Sequence, residues 1–75
     1  MAKLPVLSAL KIVKALIKLG FVISRQRGSH IILTRFDGDR KRIVVVPNHR
    51  QIDPGTLLSI LSQAGTTKED FLELV

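Results

Sequence analysis

The succession of patterns along the chain predicts an α+β sandwich, in which helices cover one face of a three-stranded antiparallel sheet and leave the other face open. A helical apolar period comes first, β-prone runs separated by glycine-containing turns follow, and a second helical period begins after a proline. A short extra helix is predicted at the C-terminal end. We expect residues 1–75 to form one small domain, because this length allows only a modest core.

The composition excludes several kinds of site. The chain is 45% hydrophobic but has only three Phe and no Trp or Tyr, which predicts an aliphatic core and argues against aromatic stacking on bases. Without cysteine there is no disulfide, no thiolate zinc site and no cysteine nucleophile, and two histidines do not make a convincing metal site. We therefore expect no metal and no cofactor, and chemistry on an open surface.

The net charge of +6 is unevenly distributed. Residues 1–36 hold seven Lys or Arg and no acid, whereas residues 53–75 hold four acids and one Lys. Such a basic region favours a polyanionic partner, and nucleic acid ranks above lipid because lysines interrupt the early apolar residues every few positions. That interruption also argues against a signal peptide or membrane anchor, so we expect a cytoplasmic protein with no membrane partner.

The first helix is predicted to start after Ser8, which can act as its N-cap, and to stop at Gly20. Its apolar residues recur at helical spacing: Ala9, Ile12, Val13, Leu16 and Leu19. Lys11, Lys14 and Lys18 share the opposite face. A solvated face is the favoured interpretation of this row, and contact with phosphates is the alternative.

Three strands are predicted next. Residues 21–27 and 30–36 form a hairpin across Gly28-Ser29, and Asp37-Gly38-Asp39 leads into the run 41–46, which ends at Pro47. The alternation alone does not settle which face is buried, since Ile23 and Ile32 fall with His30 while Val22, Ile31 and Leu33 fall opposite. A β-bulge would resolve this conflict.

The second helix is predicted from Asp53 as N-cap and Pro54 as first residue to a stop at Gly65. Its apolar residues are Leu57, Ile60, Leu61 and Ala64. Thr67 and Asp70 have the spacing of a cap and the third residue of a last short helix, through which Phe71 and Leu74 would pack on the body.

The stretch Arg25–His30 carries the functional prediction. Gly28 supplies a positive φ for a two-residue turn, so Arg27 and His30 oppose each other and the period of two adds Arg25 to their face. An imidazole exchanges protons near neutral pH, and guanidinium groups can bind a phosphate in a bidentate manner. RNA supplies its own 2′-hydroxyl nucleophile, so one His with nearby Arg suffices in principle for metal-independent cleavage. From these residues alone, a catalytic and a structural role of His30 are equally favoured.

Two nearby residues have competing interpretations. His49 is either an auxiliary general acid for the leaving 5′-oxygen or a structural residue of the loop after Pro47, and the structural role is favoured. Ser29 precedes His30 but is preferred as a turn residue rather than a nucleophile, because adjacent strand residues point to opposite faces and no acidic orienting group is evident.

Three segments together resemble the HicA family of toxins, small proteins that cleave messenger RNA. These are Arg25-Gln26-Arg27-Gly28-Ser29-His30, then Val46-Pro47-Asn48-His49, then Gly55-Thr56-Leu57 continuing through residues 60–65. The resemblance covers most of the chain. It implies a fold like that of double-stranded-RNA-binding domains, catalysis by His30, and inhibition by a HicB-type antitoxin that covers the catalytic face.

The predicted RNA-binding residues are Arg25, Arg27, Gly28, Ser29, Lys11 and Lys14. The chain departs from the family at residues 51–54, where members often carry more lysine, and at Leu58, where a basic residue is common. Both departures imply weaker phosphate contacts there.

Two alternatives to a ribonuclease toxin remain open. One is a non-catalytic module that binds structured RNA with the same fold, although the start of the second helix lacks the lysine cluster typical of such binders. The other is a protein-interaction module that recruits a partner to the open sheet face, which is compatible with a toxin bound by its antitoxin.

Overall fold

A computed structural model describes residues 4–75, and Lys3, one of the early lysines, lies outside this range. The elements follow the predicted order, and the architecture is the predicted α+β sandwich, consistent with a double-stranded-RNA-binding-domain-like fold. Their bounds are α1 Ala9–Lys18, β1 Val22–Arg27, β2 His30–Asp37, β3 Arg40–Pro47, α2 Pro54–Ala64 and α3 Lys68–Leu72.

All three helices begin at the predicted caps. The Ser8 side chain accepts a hydrogen bond from the amide of Lys11, Asp53 accepts from Thr56, and Thr67 accepts from Asp70. Each bond satisfies an amide that the first turn of a helix leaves free. Since these pairs lie only three residues apart, the sequence alone was sufficient to locate them.

The strands form one antiparallel sheet in the order β1-β2-β3. Gly28 has a φ of 57° in the β1–β2 turn, as predicted, and Arg27 pairs with His30. Phe21, predicted as the first residue of β1, instead lies before the strand and is buried in the core.

A β-bulge between Ile23 and Arg25 resolves the conflict over which face is buried. Ile23 pairs with Leu33 and Val22 with Thr34, so the bulge exchanges the faces of these two β1 residues relative to an uninterrupted alternation. Ile23 therefore does not share a face with His30.

The core lies between the helices and one face of the sheet. Leu33, Val44 and Val46 are fully buried on that face, opposite apolar residues of α1 and α2. Each such aliphatic side chain contributes about 1.5–3 kcal/mol through burial. The helices leave the other sheet face uncovered, where Val22, Ile43 and Phe36 remain at least half exposed. None of the helices within residues 4–75 has the length and apolar character needed to cross a membrane.

Candidate functional site

The β1–β2 turn, the loop after β3 and the start of α1 meet at one end of the molecule. The amide of Asn48 donates to the carbonyl of Ser29 at 2.6 Å, which continues the β2–β3 ladder into the turn. The amide of Ala9 donates to the carbonyl of His49 at 2.9 Å. These two bonds hold the turn against the body of the protein, although its residues are exposed.

His30 is the first residue of β2 and faces the open side of the sheet, since the fully buried Leu33 lies three positions further along an uninterrupted strand. It pairs with Arg27 on one side and Pro47 on the other. The amides of Val45 and Asn48 point away from β2 and toward it respectively, so by alternation the His30–Pro47 pair is one without ladder bonds, in which side chains approach most closely. On the open face His30 therefore has Arg27 as its neighbour on one side and Pro47 on the other.

Arg25 pairs with Ile32, two positions along β2 from His30, so Arg25, Arg27 and His30 share the open face as predicted. The bulge directly precedes Arg25. The Ser24 hydroxyl donates to the carbonyl of Ile32 at 3.1 Å, which gives that carbonyl a partner beside the irregular stretch of the ladder.

Within residues 4–75 no carboxylate neutralises the charges of the two arginines on this face. Arg25, Arg27 and His30 are all exposed, and within the described residues 4–75 neither arginine forms an ion pair and the His30 imidazole has no hydrogen bond. An exposed imidazole beside two unpaired guanidinium groups forms a surface on which a phosphodiester can bind and exchange protons.

Lys11 and Lys14 do not join this face. They are exposed on the side of α1 that points away from the core, whereas the arginines lie beyond the sheet, on the opposite side of the sandwich. Lys11 lies in the first turn of α1, near the end where Ala9 contacts His49. The sequence-predicted RNA-binding residues therefore form two groups, one around His30 and one along α1.

His49 contributes to the structure through its backbone. Its amide donates to the carbonyl of Pro47 at 2.8 Å, which tightens the loop, and its carbonyl accepts from Ala9. Its side chain is exposed. No group of three or more potential metal ligands occurs within residues 4–75.

The roles of two residues near the site were missed from the sequence. Asn48 and Ser24 make bonds that join positions eight or more apart in the chain, and nothing local indicated these bonds. Asp53, in contrast, caps α2 as predicted, and a hydrogen bond from the Thr56 hydroxyl is the main cause that lowers the pKa of this carboxyl.

The chain was compared with protein families and with curated proteins. The family model described as the HicA toxin of bacterial toxin–antitoxin systems matches residues 10–66, which include the whole sheet, the loop after it and α2. The comparison with curated proteins gives no significant match. Since the family match covers most of the chain and contains the complete face around His30, the protein belongs to the HicA family of toxins.

Proposed function

We propose that this toxin is a metal-independent endoribonuclease that cleaves messenger RNA, with His30 as its catalytic residue and Arg25 and Arg27 as its main phosphate-binding residues. The observation that carries this proposal is the placement of an exposed imidazole directly opposite Arg27 and on the same sheet face as Arg25. Family membership supplies the toxin role, and this face supplies the groups that the reaction needs.

The proposed chemistry uses the substrate's own nucleophile. His30 removes the proton of a 2′-hydroxyl, whose oxygen attacks the adjacent phosphorus and displaces the 5′-oxygen of the next nucleotide. The products are a 2′,3′-cyclic phosphate and a 5′-hydroxyl. Arg25 and Arg27 stabilise the negative charge that develops on the phosphate oxygens. The leaving oxygen takes a proton from His49 or from water.

A non-catalytic RNA-binding module is the second candidate, and the start of α2 argues against it. In that helix the Asp53 carboxylate bonds to both the amide and the hydroxyl of Thr56. A carboxylate at this position disfavours phosphate, whereas duplex-RNA binders of this fold usually present lysines there. The basic residues of the open face remain available to a single strand.

The test is cleavage of a purified single-stranded RNA by the purified protein in EDTA. We expect cleavage to persist, with cyclic phosphate ends, and a matched oligonucleotide with 2′-deoxyribose at every position to remain intact because it lacks the nucleophile. Binding of the RNA without cleavage would support the second candidate. Loss of cleavage in EDTA that magnesium restores would contradict a metal-independent reaction.

The partner proposed for this face is a HicB-type antitoxin. A surface with Arg25, Arg27 and His30 beside the apolar Ile32 suits an acidic, partly apolar partner, and its occlusion would block RNA without changing the fold. Amide exchange of the free toxin and of the complex tests this proposal. We expect protection across residues 27–32, whereas protection limited to the outer faces of the helices would contradict occlusion.

A further inference from the structure

Besides its open face, the sheet has an outer edge on β3, whose outward polar groups are only partly bonded within residues 4–75. Neighbouring residues of an antiparallel edge strand direct their amides alternately toward the partner strand and away from it. The Val45 amide points away from β2, because it donates to the side-chain oxygen of Gln63 on α2 at 3.0 Å. By the same alternation the amides of Ile43 and Lys41 point outward, while Pro47 has none to offer.

The edge therefore divides into a covered part and an open part. Gln63 covers Val45, and beyond it the edge from Arg40 to Ile43 borders a groove of about 490 Å³. The groove is lined by residues of β3, the preceding turn and α2: Asp37, Arg40, Lys41, Arg42, Ile43 and Gln63. It lies at the opposite end of the sheet from His30.

The charges at the groove differ in how they are bonded. Arg42 donates to Asp37 at 2.8 Å and to the carbonyl of Gln63 at 3.3 Å, so its charge is already neutralised. Arg40 and Lys41 have no ion pair within residues 4–75. Adjacent strand residues point to opposite faces of the sheet, so Arg40 lies beside the edge on one face and Lys41 on the other.

We propose that the open β3 edge binds an extended acidic segment of a partner polypeptide, which adds a short fourth strand to the sheet. The outward amides of Lys41 and Ile43 bond to the segment's carbonyls. Acidic side chains of the segment lie beside Arg40 on one face and Lys41 on the other, and an apolar side chain packs beside Ile43, which is half exposed.

Other occupants fit less well. A second copy of this chain would bring the same two cations against Arg40 and Lys41, in a protein whose net charge is already +6. The other edge of the sheet, on β1, contains the bulge before Arg25, and a bulge disrupts further strand pairing. This proposal does not depend on catalysis by His30.

The experiment titrates the isotope-labelled protein with a short peptide whose central residues are Val-Thr-Glu-Glu and follows each amide by NMR. In an added antiparallel strand the two adjacent glutamates point to opposite faces, beside Lys41 and Arg40, and the valine lies beside Ile43. We expect saturable shifts and slowed amide exchange at Lys41 and Ile43, with little change at Arg27 and His30. The same peptide with lysine in place of each glutamate is the control, and we expect it to bind more weakly by roughly fivefold or more.

Two variants separate backbone pairing from charge. Ile43→Pro removes an outward amide that β2 does not use, so we expect it to stay folded by circular dichroism and to lose binding, whereas Ile43→Thr retains the amide and binding. Arg40→Gln combined with Lys41→Gln tests the charges without touching the backbone, and we expect it to weaken binding roughly fivefold or more.

The proposal is wrong if the peptide causes no saturable shift at Lys41 and Ile43, or if the two peptides bind equally well. It is also wrong if folded Ile43→Pro or the charge variant binds the peptide as tightly as the parent protein does. Larger shifts at this edge with a non-cleavable single-stranded oligonucleotide would assign it to RNA. Concentration-dependent shifts at Ile43 without any peptide would assign the edge to a second copy instead.

Discussion

The two turns of the sheet contain similar residues but bond them differently. Gly28 and Gly38 both have positive φ, 57° and 65°, and both turns have arginines nearby. At the β1–β2 turn, Arg25 and Arg27 have no ion pair within residues 4–75. At the β2–β3 turn, the carboxylate of Asp37 binds two arginines at 2.8 Å each.

A single carboxylate accounts for this difference. Asp37 bonds to Arg35 and Arg42, while Arg35 also donates to the carbonyl of Leu19 at 2.8 Å and lies 4.6 Å from the centre of the Phe21 ring. These cations connect β2 and β3 to the ends of α1 and α2. Around His30 no carboxylate of residues 4–75 pairs with Arg25 or Arg27, so these side chains can bind an external anion. Substitutions at the β2–β3 turn should therefore reduce stability, and those around His30 should reduce activity.

The largest expected effect is loss of RNA cleavage in His30→Ala. We expect the rate to fall by a factor on the order of 10² to 10⁴, because the side chain is proposed to transfer a proton. The free energy of unfolding should change little, since His30 is exposed. Denaturant unfolding and cleavage of a labelled RNA measure the two quantities.

His49→Ala is the matched control, because His49 is also exposed and keeps its backbone bonds after the substitution. A small loss in this variant would assign it a loop role, and a loss as large as that of His30→Ala would assign it the general acid. If His30→Ala cleaves as fast as the parent protein, the catalytic assignment is wrong.

The next effect in size is destabilisation by Arg35→Ala. This change removes bonds to Asp37 and Leu19 and the contact with Phe21, from a side chain that is 25% exposed. We expect the free energy of unfolding to fall by about 1–3 kcal/mol, with cleavage by the folded fraction unchanged.

Denaturant unfolding of Arg40→Ala provides the comparison, since Arg40 lacks an ion pair within the described residues and should change stability by less than about 0.5 kcal/mol. Equal destabilisation by the two substitutions would show that the Asp37 network does not hold the elements together.

Whether a feature could be predicted from the sequence depends on how far apart in the chain its interacting residues lie. The helix caps, the positive φ of Gly28 and the pairing of Arg27 with His30 depend on residues within a few positions of each other, and all were predicted correctly. A bulge was anticipated from the conflicting alternation, but its position was not.

The bonds that connect the Asp37 network to the helices were missed because their carbonyl acceptors come from distant parts of the chain. Arg35 reaches Leu19, sixteen positions earlier, and Arg42 reaches Gln63, twenty-one positions later. Local spacing gave no reason to treat Arg35 differently from Arg25, although only Arg35 faces the helices. The placement of Lys11 and Lys14 away from the open face likewise depended on how α1 packs, which charge counting does not show.

A smaller effect is expected from Arg25→Ala and Arg27→Ala on the salt dependence of RNA binding. If each side chain neutralises one phosphate, the slope of log affinity against log salt should decrease by about 0.7 for each substitution on single-stranded RNA. Lys68→Ala, in α3, is the control and should leave the slope unchanged. Unchanged slopes in both arginine variants would mean that this face is only solvated.

The smallest expected effect concerns pH and Asp37. Hydrogen bonds from Arg35, and then from Arg42, hold the pKa of this carboxyl below its ordinary value of 3.8. A group with a lowered pKa in the folded state stabilises the protein above its unfolded-state pKa, and this contribution is lost as the pH falls through the folded-state value. The exposed position of Asp37 keeps the effect modest.

Asp37→Asn removes this contribution, so its free energy of unfolding should decline less than that of the parent protein between about pH 6 and about pH 2.5. Asp53, whose pKa is also lowered, titrates in both proteins and therefore cancels from the comparison. Asp39→Asn, in the same turn but without an ion pair within residues 4–75, should follow the parent curve. Denaturant unfolding across this pH range measures all three. Parallel curves for the parent and Asp37→Asn would show that the two arginines do not depend on the Asp37 charge, and the proposed contrast between the two turns would then fail.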